Sequence, residues 1–107
     1  MQAYRLTDGI ERNRARPDTF HIPSDETKAR LQPGDFVKLG FDAMFPPEQS
    51  LRGERMWVII TERDGDAFIG ELDNVPVVLT DLQIGERVEF EARHILDIDH
   101  PEPQATA

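Results

Sequence analysis

The chain has 107 residues, no cysteine, 38% hydrophobic and 31% charged residues, and a formal net charge of −9 at pH 7. That length suits one domain with one modest core. The lack of cysteine excludes a disulfide framework and a thiolate zinc site, and the acidity opposes long-range attraction to nucleic acid.

Residues 1–19 form a weakly patterned arm in which Tyr4, Leu6 and Ile10 are scattered and Thr7-Asp8-Gly9 has turn character. Arg5, Arg12, Arg14 and Arg16 against Asp8 and Glu11 give the first 17 residues a charge of about +2, leaving about −11 for the rest. Such an arm is expected to fold back on the acidic body rather than to seek nucleic acid. Phe20 and Ile22 alternate with polar neighbours as an extended edge would. Ser24 is a helix N-cap, with Asp25 and Glu26 in the first turn where the helix dipole favours acids. The short helix ends at Pro33-Gly34 and, with only Ala29 and Leu31 on its apolar side, must be held by something else.

After Pro33 the apolar period becomes two. Val37, Leu39 and Phe41 predict a strand with one buried face, and residues 42–54 an irregular connection. Met56 to Thr61 is apolar on both faces, which predicts a central strand covered on both sides. Asp64-Gly65 fits a type I′ hairpin, with a return strand from Ala67 to Leu72. Asp73-Asn74 makes the next turn, and Val75 to Leu79 is a short strand that Pro76 confines to an edge. Gly85 opens a strand through Val88, Phe90 and Ala92, which a bulge continues from His94 to Ile98. Residues 1–100 are expected to be a single β-rich domain and 101–107 a disordered tail.

An internal echo relates Leu31-Gln32-Pro33-Gly34-Asp35-Phe36-Val37-Lys38-Leu39 to Leu82-Gln83-Ile84-Gly85-Glu86-Arg87-Val88-Glu89-Phe90. The flanks do not match, so it is no tandem repeat. It has the character of a strand-entry device: leucine anchors, glycine turns, and an alternating strand follows. Two such devices among five or six short strands predict a mostly β fold, a small antiparallel SH3-like barrel or strongly curved sheet with one short N-terminal helix; the alternative is an open α+β sheet.

From Phe20 onward the chain resembles a bacterial family of unknown function, the YegJ-like domains. The resemblance is carried by Phe20-His21-Ile22-Pro23, by Leu31 to Leu39, by Gly53-Glu54-Arg55-Met56-Trp57-Val58, by Gly70-Glu71-Leu72-Asp73-Asn74-Val75-Pro76, and by His94-Ile95-Leu96-Asp97-Ile98. It covers roughly three-quarters of the chain and is most specific at Gly53–Trp57 and Leu72–Pro76. It implies a compact bacterial domain and no known reaction.

Five residues are the candidates for binding. Arg55 stands before the most apolar strand, either paired with an acid or offering a two-pronged contact to a carboxylate or phosphate. Trp57, the sole tryptophan, is a core residue or a ligand platform. Glu71 and Asn74 flank a turn, where Asn74 either bonds its own backbone or orients a polar ligand. His94 could act as an acid or base with Glu71. His94, Asp97, Asp99 and His100 have metal-type side chains, but strand alternation divides them between two faces, so no metal site is expected. Nucleotide and hydrolase fingerprints are absent from the sequence, and no cofactor is expected.

These features favour a non-enzymatic binding module whose acidic surface suits a basic protein partner. The alternatives are a small enzyme or ligand-binding protein with a polar pocket around Arg55, Glu71, Asn74 and His94, and an accessory domain acting through self-association. No segment approaches the roughly 20 apolar residues of a membrane span, and the N-terminus lacks a signal-peptide pattern, so no membrane partner is expected and the expected location is the cytoplasm.

Overall fold

The computed structural model describes residues 4–44 and 53–99. Six strands are present: β1 (Tyr4–Leu6), β2 (Phe36–Ala43), β3 (Gly53–Asp64), β4 (Ala67–Leu72), β5 (Arg87–Glu91) and β6 (Ile95–Asp99). Two short helices, α1 (Gly9–Ala15) and α2 (Asp25–Ala29), and one 3-10 turn, η1 (Ala92–His94), complete the described elements. β2, β3, β4 and β5 form an antiparallel meander. The far edge of β2 is shared end to end: β6 pairs with Phe36–Leu39 and β1 with Phe41–Ala43.

That connectivity forces curvature. In a flat sheet, β6 would lie four strand spacings from β5, roughly 19 Å. The chain covers the distance with the three residues of η1, which rise only about 6 Å. The sheet therefore curls until its ends approach, giving the expected mostly β architecture as an antiparallel half-barrel. Among the described residues β5 pairs with β4 alone, so the barrel remains open between β5 and β1.

The two-residue rhythm delivers the concave face. Val37, Leu39 and Phe41 of β2, Met56, Val58 and Ile60 of β3, Phe68 and Leu72 of β4, and Val88 and Phe90 of β5 are all buried. Phe68 and Phe90 stack with ring centroids 5.1 Å apart, and Tyr4 meets Phe41 edge-on at 4.9 Å. The outer face of β3 departs from expectation. Trp57 and Ile59 are half-buried rather than covered, because what lies over them is side chains and not a second layer: the Lys38 ammonium sits 4.7 Å from the Trp57 ring centroid.

The internal echo proves to be one device built twice. Leu31 and Leu82 are buried. The Gln32 N–H donates to the Asp35 carboxylate at 3.0 Å, and the Gln83 N–H to the Glu86 carboxylate at 3.1 Å. Gly34 and Gly85 both adopt positive φ, 100° and 90°. Each device then exchanges two backbone hydrogen bonds with a buried residue on a neighbouring strand. Gly34 N–H donates to Ile60 C=O and Ile60 N–H to Asp35 C=O; Gly85 N–H donates to Leu72 C=O and Leu72 N–H to Glu86 C=O.

The N-terminal segment holds more structure than its sequence suggests. Asp8 caps α1 through the Glu11 N–H at 3.0 Å, and its carboxylate also meets the Arg93 guanidinium at 3.2 Å. The arm thus folds back on the body. Phe20 and Ile22 form no strand. Instead the Phe20 carbonyl accepts from the Asn13 side chain at 2.7 Å, and the Phe20 ring lies under the Arg55 guanidinium at 5.3 Å. Ser24 caps α2 as expected. The outside support that α2 needs comes from Arg63 on β3, whose Nη1 donates to the carbonyls of Lys28, Ala29 and Leu31 at 2.9, 3.3 and 2.8 Å.

Two further differences concern turns. The β3–β4 hairpin turns on Gly65 and Asp66, one residue later than expected, since Asp64 still pairs with Ala67. Val75 to Leu79 is not a strand: Pro76 has no N–H, and the amides of Val77, Val78 and Leu79 are taken by a side chain. Most of the irregular connection, residues 45–52, and the tail at 101–107 lie outside the described residues.

Positive φ at the two echo glycines makes a direct prediction. Gly34→Ala and Gly85→Ala are each expected to destabilise the fold by about 1–2 kcal/mol, although no atom lies within 4 Å of where the new Cβ would stand. Urea unfolding of the two variants measures this; equal losses are expected if the devices are equivalent.

Candidate functional site

The two segments most specific in sequence, Gly53–Trp57 and Leu72–Pro76, dock onto each other. Glu54 lies at the start of β3 with its carboxylate turned toward the chain after β4. It accepts the N–H groups of Val77, Val78 and Leu79 at 3.0, 2.7 and 2.7 Å. Burial alone would raise the pKa of Glu54, but these three donors outweigh it and leave the group below the ordinary 4.5. Three residues along, the Trp57 N–H donates to the Asn74 side-chain oxygen, and the Asp73 N–H donates back to the Trp57 carbonyl at 2.9 Å.

The connection from Asp73 to Glu86 is therefore fixed at both ends and in the middle. Asn74 and Glu54 hold its first half, Leu79 and Leu82 are buried beneath it, and the second echo device closes it. What the loop does not bury is as informative. Val75, Val77 and Ile84 are 73%, 80% and 60% exposed. Asp73, Asp81 and Glu86 are exposed on the same loop, which contains no basic residue. The outcome is a rigid, acidic loop that presents branched apolar side chains to water.

The five residues expected to bind are placed as follows. Arg55 is exposed on the outer face, over Phe20. Trp57 shares that face beneath Lys38. Glu71 is exposed on the outer face of β4, in register with Ile59 and Arg87. Asn74 bonds the Trp57 amide rather than its own neighbours. His94 lies in η1, where its Nδ1 accepts the Glu91 N–H at 3.0 Å.

The clefts lined by described residues do not gather Arg55, Glu71, Asn74 and His94 together. Arg55 lines clefts beside Phe20 and Lys38, and His94 lines clefts along β5, one of them shared with β1; Glu71 and Asn74 line none of these. The reason is strand geometry: alternation turns Arg55 and Glu71 away from the concave side, Asn74 is committed to the backbone, and His94 stands on the hinge after β5. Trp57 and Asn74 are the pair brought together, through the Trp57 backbone. Glu54 carries no local signal of this role: in sequence it stands beside Arg55 and its three backbone partners lie 23 to 25 residues away.

The groove left open between β1 and β5 has a volume of about 880 Å³ and is lined by Tyr4, Leu6, Arg12, Glu89 and His94 among others. Burial first, then Glu86 and Glu89, raise the Tyr4 hydroxyl above its ordinary pKa. His94 is pushed below 6.5, first by burial and then by Arg93, against Glu91 and Asp8. No group of three or more acidic or histidine side chains among the described residues is placed to hold a metal ion. No described helix is long and apolar enough to cross a membrane.

A curled antiparallel half-barrel with one acid-pinned loop is the class of domain these features define. Residues 5–102 match the family described as an uncharacterised protein conserved in bacteria (DUF2314), and the chain belongs to that family. No curated protein and no solved structure matches the chain.

Glu54→Gln keeps the size of the side chain but removes the charge and one acceptor oxygen. It is expected to cost about 1.5–3 kcal/mol and to speed amide exchange at Val77, Val78 and Leu79 while leaving the β2–β3 ladder protected. Because its folded pKa lies below the unfolded value, the Glu54 contribution is complete above pH 4.5 and fades as pH falls through the lower folded value. His94 follows the same sign: its neutral ring is favoured in the fold, so stability declines as pH drops below 6.5, and His94→Gln is expected to flatten that slope in melts taken between pH 5 and pH 7.5.

Proposed function

We propose that this domain is a non-enzymatic binding module that engages a protein partner of basic surface through the loop from Asp73 to Glu86. The observation that carries this reading is the exposure of Val75 and Val77 on a backbone held by Glu54. Burying an apolar side chain of this size on association yields on the order of 1.5 kcal/mol. Two or three of them anchor an interface but do not alone offset the entropy of association. The remaining contribution is electrostatic: the loop acids and the charge of −9 attract a basic partner and align it before contact. Prior rigidity helps, since the loop loses little freedom on binding.

A cytoplasmic location and a YegJ-like grouping within the family belong to the same reading. The pocket-based alternative has no shared cleft to support it. Self-association is disfavoured by the charge, because two copies would bring like-charged loops together.

Affinity capture from a bacterial lysate at low salt, with wild type and Val75→Ser/Val77→Ser side by side, tests this. A basic protein held by the wild type, eluted by salt and missing from a variant with an unchanged melting curve is the expected result. An identical set captured by both proteins, or nothing captured by either, overturns it.

A further inference from the structure

The chain carries ten arginines and only two lysines, Lys28 and Lys38. Lysine differs from arginine in that its amine can lose its proton and attack an electrophile. Lys38 is accounted for by its contact with Trp57. Lys28 is not accounted for by the fold. It lies in α2 with only 4% of its surface exposed, and its Nζ is buried without a hydrogen-bond partner. The carbonyls of residues 28, 29 and 31 are already taken by Arg63. A buried ammonium with no acceptor is costly, and an uncharged amine in the same place is far less so.

Lys28 lines a cleft of about 400 Å³ between α2, the β3–β4 turn and η1, along with Ile10, Asp66, Glu91 and Ala92. The charged groups around it come from every element nearby: Asp25 on α2, Asp8 at the start of α1, Arg63 and Asp66 from the β3–β4 hairpin, and Glu91 and Arg93 at the end of β5 and in η1. Burial pulls the Lys28 pKa below its ordinary value, against the opposing pull of Asp25, Asp8 and Asp66. Arg93 is engaged by Asp8 and Glu91, whereas the carboxylates of Asp25 and Asp66 make no hydrogen bond or ion pair among the described residues; the Asp66 backbone carbonyl accepts the Ala92 N–H.

We propose that Lys28 is a nucleophilic amine that captures a small uncharged aldehyde in this cleft as an imine. An anionic ligand would meet the carboxylates of Asp25, Asp66 and Glu91 on the way in; a neutral carbonyl compound would not. No hydrogen bond tethers the amine, so rotation about the side-chain bonds brings it from its buried position to the cleft. The Nζ lone pair forms a bond to the carbonyl carbon. The carbonyl oxygen takes up two protons and leaves as water, and nitrogen gives up its two hydrogens as the C=N bond forms. No oxidation or reduction occurs. Asp25 and Asp66 are the free carboxylates placed to carry those protons.

The wild-type protein tests this without any substitution, because Lys38 is an internal comparator. Propanal with cyanoborohydride at pH 7 traps imines as stable secondary amines, and peptide mass spectrometry reads each lysine separately. Faster modification of Lys28 than of Lys38 is expected in the folded protein, with the two rates converging in urea. Equal or slower modification of Lys28 in the folded protein, followed by convergence in urea, overturns the proposal. Its outcome is independent of the loop at Asp73–Glu86, so neither reading stands or falls with the other.

Discussion

Three residues, Ala92 to His94, carry the chain from the last strand of the meander back to the edge of the first, and no flat sheet allows so short a return. The curvature of the half-barrel follows from this link. Once the sheet curls, alternate side chains of β2 to β5 converge on one small interior, and Phe68, Phe90, Phe41 and Leu39 can all be buried by a chain of this size. The link is held by its own chemistry. His94 Nδ1 accepts the Glu91 N–H, and the Arg93 guanidinium joins Glu91 to Asp8 across the N-terminal helix. α1, which has little apolar surface of its own, owes its place to this hinge.

Curling a sheet leaves its strand entries to be aligned, and the echoed devices at Leu31–Asp35 and Leu82–Glu86 do this twice with the same parts. In each, an acid side chain closes the turn over a glycine that alone tolerates the positive φ, and a buried residue of the adjoining strand exchanges two backbone bonds with it. One device sets β2 against β3 at Ile60, the other sets β5 against β4 at Leu72. The meander is thus registered at both of its outer strands by local chemistry, and cross-strand packing of apolar side chains extends the register between them.

Features that depend on local pattern were legible in the sequence. The alternation at Val37–Phe41, Met56–Ile60 and Val88–Phe90 gave the strands, Ser24 gave the cap of α2, and the repeated leucine, glycine and acid gave the entry devices. The features that escaped are those whose cause lies far along the chain. Val75–Leu79 has the composition of a strand, yet its amides answer to Glu54. Arg63 is an ordinary surface residue by pattern, and its role appears only when β3 brings it to the end of α2. Lys28 reads as a solvated helix position until β3, η1 and α2 enclose it. Of the candidate site, Asn74 and the Gly53–Trp57 segment were visible as distinctive residues, but the contact between them was not, because a motif shows which residues are unusual and not which of them touch.

The loop from Asp73 to Glu86 is where the structure exceeds what folding alone requires. Joining β4 to β5 needs only a tight hairpin of two to five residues. A connection as long as this one is commonly either functional or without fixed structure, and here the backbone is fixed by a carboxylate, an asparagine, two buried leucines and a glycine turn. Leu79 and Leu82 serve the core, but a short turn would leave β4 and β5 equally well paired without the remaining restraints. They make sense if the position of the outward-facing side chains matters. A flexible loop could fold Val75 and Val77 back against the body and hide them from water; Glu54, by taking three consecutive amides, prevents that. The same carboxylate that spoils the expected strand therefore keeps an apolar edge exposed against the hydrophobic effect, and that edge is the feature on which the proposed binding role rests.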